Sequence, residues 1–397
     1  MQLGWIDFSK DERNKVFSVI NLLDEPGAVD ELGLGVIRDA FANYFFPGTS
    51  TVQTRAKYFF IVPYILKEAG AGEYGSDPHK IIRRINDEER KCRDILIKTS
   101  SDGVIGSRNP YSWVQRTPLS IYWNGLKELG ILTENISLRE YILLTINQRV
   151  AKKAKEYGNR EKDAEENERD DNDAGDILSF YFLNLGDTFS PNWRENLRIE
   201  LLPKEAAFLK SQIIRTQRET LFAHIVKNKI DVTQFDTFGA FSESVTGTVE
   251  SELAEMIQLA NDFNDLVEII TVRYNLIVSK GKNTLAKNKW AQLSHDLQRK
   301  ATVDLKRIYT KLDVKNIKLR IFLAMVQEAI MKNDIEEVDR LIVNREVRIK
   351  NPSRAKTLHA GEFPSDQWIG VYKFDYRFSS ARRIIADIMT AGGYNNV

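Results

Sequence analysis

A second cysteine is missing from this 397-residue chain, so Cys92 has no intrachain partner for a disulfide, and the fold must hold without covalent staples. No stretch approaches eighteen consecutive apolar residues, and MQLGWIDFSKDER lacks the basic start and apolar run of a secretory signal. These absences argue against a membrane-spanning or secreted protein and point to the cytoplasm. Charge of one sign is lacking too. With 57 basic and 56 acidic side chains the formal charge is +1, so no whole-molecule field draws the chain to nucleic acid or to an anionic membrane. Any such affinity must come from a local patch. Twenty-two glycines and ten prolines are ordinary for the length, which removes collagen-like and low-complexity readings, and no internal repeat is present.

Chemistry-bearing patterns are equally sparse. The four histidines, His79, His224, His295 and His359, are scattered, and none has a second ligand at metal-binding spacing. Cys92 lies in RRINDEERKCRDILIK, an ordinary charged helix in which it reads as a small apolar-face residue. Duplicated HxK motifs of phospholipase-type nucleases, GxxxxGK(S/T) phosphate loops and the GxSxG elbow are absent. The GLG of DELGLGVIRD has neither a strand before it nor a third glycine, so it reads as a turn opening the next helix. Asp30, Glu31 and Asp39 stand near that turn and offer oxygen ligands for a divalent ion, but the plainer reading is solvated turn residues. No cofactor, metal site or catalytic residue is indicated, and a non-enzyme is favoured.

What is present is helix. Capping boxes start helices at Ser9 with Glu12, Ser50 with Gln53, and Ser137 with Glu140; cap-proline pairs do so at Asp77-Pro78 and Thr117-Pro118. The helix from Pro118 is expected to stop at Gly130. Ile37, Phe41, Tyr44 and Phe45 recur at helical spacing before a Pro47-Gly48 break. The following TVQTRAKYFFIVPYILKEAG is apolar on nearly every face, which marks a buried helix that Pro63 should kink.

From 249 a heptad seam runs through Val249, Leu253, Met256, Ala260, Phe263, Val267, Ile270, Tyr274 and Ile277, predicting one long helix over 245–279. Its first meaning is packing within a bundle of the same chain, with helices at 285–312 and 315–345; its second is a dimer seam. Short β elements are expected in GVYKFDYRFS (370–379) and GWIDF. SRNPYSWVQRTPLSIYWNGLKELGIL, behind the 78–98 helix, has the outline of a winged-helix-like unit, with Trp113, Tyr122 and Trp123 read as core. The fold class is therefore mainly α, multi-helix, in two regions. Residues 152–176, with six basic and ten acidic side chains and almost nothing apolar, form the expected joint, a flexible charged linker open to proteases, between 1–151 and a helical bundle with a basic end over 177–397.

Two places favour anions. In FPGTSTVQTRAKYFF, a helix N-terminus is expected beside Thr49, Ser50, Thr51, Gln53, Thr54, Arg55 and Lys57, a concentration of donors suited to phosphate oxygens; the competing reading has the hydroxyls capping the helix and Arg55 paired with an acid such as Asp39. Between 345 and 383, nine bases stand against four acids, interleaved with Trp368, Tyr372, Phe374 and Tyr376, the look of a nucleic-acid surface; the competing reading is solvated charge on unrelated faces. Arg377, Arg382 and Arg383 are the group there expected to contact phosphate. Arg382 and Arg383 are placed in the first turn after a Ser379 or Ser380 cap.

DELGLGVIRDAFANYFFPGTSTVQTRAKYFFIVPYIL, TPLSIYWNGLKELGI and DYRFSSARRIIADI resemble an uncharacterised bacterial family, a domain of unknown function spanning almost the whole chain. The resemblance carries no catalytic residues. It implies genes beside helicases, phospholipase-type nucleases and methyltransferases of anti-phage defence arrays, hence an accessory subunit of a DNA-directed system with helicase or nuclease partner proteins. The expected function is a non-catalytic accessory subunit that associates with nucleic acid and partner proteins. The alternatives are a metal-dependent nuclease or other phosphodiester enzyme, and a helical protein-interaction scaffold.

Overall fold

In the computed structural model, residues 30–71, 78–109, 111–147, 182–362, 364 and 366–393 are described. The helices are α1 (Gly35–Phe45), α2 (Tyr58–Ala71), α3 (Pro78–Leu96), α4 (Pro118–Glu128), α5 (Pro203–Thr216), α6 (Leu221–Asn228), α7 (Phe238–Val245), α8 (Ser251–Val278), α9 (Thr284–Leu293), α10 (Leu297–Ala301), α11 (Leu305–Lys311), α12 (Ile317–Met331), α13 (Ile335–Lys350) and α14 (Phe378–Ala391). Residues 138–147 are also helical. The fold is mainly α, and the described residues contain no sheet, only an isolated antiparallel bridge between Leu132 and Leu183. Among the described residues no wing accompanies α3 and α4. The Ser9 box, Asp77, GWIDF and the 152–176 joint lie outside the described residues.

Polar side chains set many of the starts. Thr117, Thr220, Thr237, Asn283, Asp304, Asn316 and Asp334 each accept a backbone N–H from the first turn that follows them. These caps explain why the expected long partner helices are broken. The 285–312 pattern divides into α9, α10 and α11, with Asp304 opening the last, and the 315–345 pattern divides at Asn333-Asp334 into α12 and α13. The Ser137–Glu140 box forms in both directions, at 2.6 and 3.2 Å. α4 ends at Glu128, with Gly130 following in the left-handed region.

The heptad helix is α8, and its seam faces the interior of its own chain. Met256, Ala260, Phe263, Val267 and Ile270 have no exposed surface, and Ile257, Leu266, Ile269 and Val272 on its other faces have none either. A helix whose seam and neighbouring faces are buried to this extent is a central strut rather than a seam open to a second chain. Phe263 packs near Phe41 and Phe374, both at 6.2 Å between ring centroids, so residues before 152 and after 176 meet in one contiguous core.

GVYKFDYRFS is not a strand. Its chain lies along α8, where buried Asn side chains take the place of a neighbouring strand. Asn264 donates to the Phe374 carbonyl (3.0 Å) and accepts the Phe374 N–H (2.8 Å), and Asn275 does the same for Ile369, at 3.0 and 2.8 Å. An asparagine amide carries a donor and an acceptor side by side, as a peptide group does, so the alternation that reads as a strand is satisfied by helix side chains. Replacing Asn264 with alanine leaves both Phe374 groups unpaired in the core. The expected loss is about 2–3 kcal/mol. Urea unfolding should show it, and a loss no larger than for exposed Gln258→Ala would refute this role.

Candidate functional site

The loop between α1 and α2 turns sharply at Gly48, in the left-handed region at φ 77°. Beyond it, Ser50 and Gln53 make half of the expected box: the Ser50 N–H donates to Gln53 Oε1 at 3.1 Å. No helix starts there, however. Gln53 Nε2 turns back to the Gly48 carbonyl at 3.0 Å, the Tyr122 hydroxyl of α4 accepts the N–H groups of Thr54 and Arg55 at 2.9 and 3.1 Å, and α2 begins only at Tyr58. The donors expected at a helix N-terminus are thus mostly occupied by the chain itself. The anion that meets them is Asp387 of α14. Its carboxylate accepts the Ala56 N–H at 2.8 Å and faces Arg55 at 2.9–3.1 Å, so Arg55 pairs with Asp387 and not with Asp39.

The C-terminal basic group comes to the same loop, held from inside. Arg377 donates to the Thr49 carbonyl (2.9 Å), to Asn43 (2.6 Å) and to Asp39 (3.3 Å); Arg383 donates to the Gln53 carbonyl (3.3 Å). Arg382 instead turns to the Phe235 carbonyl and Asp236. Helix α14 starts at Phe378, so the cap position is Arg377, not Ser379 or Ser380, and the Asp375 carboxylate accepts the first-turn N–H of Ser379 at 2.7 Å. Arg382 and Arg383 consequently stand in the second turn, where the helix dipole is weaker. Tyr376 and Arg377 both adopt positive φ, 47° and 64°, a turn fixed by the buried Tyr376 ring, whose hydroxyl donates to the Ala260 carbonyl at 2.7 Å.

Lys57 lies deeper, with its ammonium 2.7 and 2.8 Å from the Glu205 oxygens of α5. Burial pulls its pKa down, opposed by Glu205. Burial also lowers Arg377, opposed by Asp39. Arg55 is raised: burial, the largest single influence, acts against its charge, but the hydrogen bond and charge attraction of Asp387, with the charges of Asp102 and Glu200, together outweigh it. Of the nominated residues Thr51 and Arg383 are exposed, while Thr49, Gln53 and Lys57 are buried. What the arrangement does chemically is lock α14 and α5 to the α1–α2 loop. The acids of the glycine turn are similarly committed: Asp30 accepts the N–H groups of Leu32, Leu34 and Gly35, Glu31 meets Lys350 and Lys356, and Asp39 meets Arg38 and Arg377. Cys92 is buried, and its thiol is pushed up to about 12 by that burial.

A second basic surface escaped the sequence reading. Helices α5 and α6 form a hairpin, and Ser211, Ile214, Arg215, Arg218, Ala223 and Lys227 line a groove of about 590 Å³ between them. Arg215, Arg218 and Lys227 are exposed, and among the described residues Arg218 and Lys227 make no ion pair. The signal was there. Residues 203–229 hold six bases against Glu205 and Glu219, and Glu205 is buried on Lys57. The aromatic interleaving that drew attention to 345–383 is missing here, and a count of charge alone finds it.

Residues 1–146 match a family model described as a family of unknown function (DUF6361). The blocks at 30–66 and 117–131 fall inside that match; the hairpin, α8 and α14 fall outside it. No curated protein matches the chain, and no solved structure does. No helix among the described residues is long and apolar enough to cross a membrane.

Proposed function

We propose that this chain is a non-catalytic accessory subunit that associates with nucleic acid, and that the α5–α6 groove is its phosphate-binding surface. The observation that carries this reading is the gathering of Arg215, Arg218 and Lys227 around one concave surface, in a molecule whose overall charge is near zero. Guanidinium forks and an ammonium at a groove rim suit phosphodiester oxygens. The anti-phage defence setting that the resemblance implies adds helicase or nuclease partner proteins to the proposal. The alternative of a metal-dependent nuclease has no observation in its favour among the described residues.

The test is titration of single-stranded and duplex DNA and of RNA at two salt concentrations, followed by fluorescence anisotropy. An Arg215→Ala/Arg218→Ala/Lys227→Ala variant should bind at least tenfold more weakly at low salt, with a slope of log affinity against log salt reduced by about 2–3. An Arg377→Ala/Arg382→Ala/Arg383→Ala variant should lose thermal stability, because those side chains hold the carbonyls of Thr49, Phe235 and Gln53. Absent binding by the parent at low salt, or an unchanged slope in the groove variant, would end this reading.

A further inference from the structure

Helix α12 is apolar on two faces. Leu319, Phe322, Leu323, Val326, Ala329 and Ile330 are buried against the core. On the opposite side Ile317 is 66% exposed, Ile321 55%, Met325 42% and Met331 49%, with exposed Ala324 between them. Single exposed hydrophobic residues are ordinary. Four of the eleven large ones exposed in the described chain, however, share this one helix. Ile317, Ile321, Ala324, Glu328 and Met331 are separated by four, three, four and three residues, the spacing of a stripe that receives another helix.

The charges along the stripe indicate what that helix is. Lys318 and Arg320 stand in its N-terminal half, and Glu328 in its C-terminal half, all exposed. Arg320 and Glu328 are each four residues from Ala324, the midpoint of Ile317–Met331. Two copies of α12 running antiparallel across Ala324 therefore set Arg320 of each against Glu328 of the other, whereas a parallel pair sets Arg320 against Arg320. The smallest side chain on the stripe lies at the crossing point, where backbones approach most closely. Opposed helix dipoles favour the same arrangement. Glu328 pairs with Lys332 within its own chain, but both side chains are about two-thirds exposed, so that contact exchanges freely with solvent and with a new partner.

We propose that α12 is a self-association face, on which a second copy of this chain packs antiparallel about a two-fold axis at Ala324. The contact is isologous and closes on itself as a dimer. A 15-residue helix is only about 22 Å long. One such pair falls below the roughly 1,200 Å² of a standard stable interface, so the dimer is weak and reversible, forming as concentration rises.

Sedimentation velocity over a concentration series should show the average mass rising for the parent. Glu328→Arg alone, and Arg320→Glu alone, should weaken association at least tenfold, and Arg320→Glu/Glu328→Arg in one chain should restore it. Ala324→Cys should form a disulfide-linked dimer under mild oxidation at least tenfold faster than Glu243→Cys, an exposed control on α7. Cys92 is 1% exposed and does not compete. Because Arg320 also lies over the Tyr309 ring at 5.0 Å, a melting curve confirms that each variant is folded, and Glu328→Arg, which touches only exposed groups, provides the independent arm. A parent that stays monomeric at every concentration overturns the proposal. So does a folded charge-swapped chain no tighter than the single variants, or an Ala324→Cys variant that crosslinks no faster than the control.

Discussion

Glu205→Leu is expected to lower folding stability by about 3–5 kcal/mol, the loss typical of a buried ion pair that keeps only one partner. The Lys57 and Glu205 side chains retain 4% and 1% of their accessible surface, so neither reaches water when the other is removed. Glu205 has further duties. It accepts the Leu202 N–H at 2.8 Å ahead of the first turn of α5, and its Oε1 lies 3.3 Å from the Tyr64 hydroxyl, which donates to the Thr188 carbonyl at 2.9 Å. Leucine fills the volume but replaces none of these contacts, and it leaves a buried ammonium near the like charge of Arg198. Lys57→Met combined with Glu205→Leu should recover most of the loss, because two apolar side chains of similar size remove the stranded charge. Equilibrium urea unfolding of the three variants decides it. A cost below about 1 kcal/mol for Glu205→Leu, or a double variant no better than the single one, would show that the pair is not the bond between the α1–α2 loop and α5 described above.

Stability is also expected to decline between pH 5 and pH 8 through one carboxyl. Glu89 of α3 is 2% exposed; its Oε1 accepts the Leu119 N–H at 2.6 Å in the first turn of α4, and its Oε2 has no partner. Burial pushes its pKa up from 4.5 to about 8, against the opposing pull of Leu119 and Thr117. The folded chain therefore keeps a proton that the unfolded chain releases above pH 4.5. The stabilisation is fully present below 4.5 and is lost as pH rises to about 8, an effect on the order of 4 kcal/mol. Glu89→Gln should flatten this component, since a neutral amide still accepts from Leu119. His224, whose pKa burial lowers, acts in the opposite sense, so the difference between parent and variant isolates Glu89. Identical pH profiles for the two proteins would rule the carboxyl out.

Local chemistry in the sequence was most readable where it is self-contained. The Thr117-Pro118 start, the Gly130 stop, the Ser137 box and the interior face of α8 depend on residues within a turn or two of one another. The Ser50 box misled because the Gln53 N–H turns to the Ser50 carbonyl instead of the Ser50 hydroxyl and because the Tyr122 hydroxyl, 67 and 68 residues away, takes the next N–H groups. The strand pattern at 370–379 misled for a related reason: alternation reports that backbone groups need partners, without saying whether a strand or an asparagine provides them. At the candidate site, the chemistry around Arg55 was legible as donors seeking an anion. That the anion is Asp387 depends on a contact spanning 332 positions, which no local pattern encodes. The α5–α6 groove was passed over because its cations, on two helices and the turn between them, carry no aromatic interleaving to mark them, although the local charge count shows them.

The Arg55–Asp387 contact also sets a timetable for synthesis. A ribosome adding about 5–20 residues each second needs roughly 15–65 s to travel from one partner to the other. Throughout that interval the α1–α2 loop has emerged without the carboxylate that holds Ala56 and Arg55, and Thr49 and Gln53 wait for Arg377 and Arg383. The nascent chain must therefore carry an unfinished, partly apolar N-terminal half until α14 leaves the tunnel, so closure of the core comes late, and its natural hazards are early capture by chaperones and aggregation.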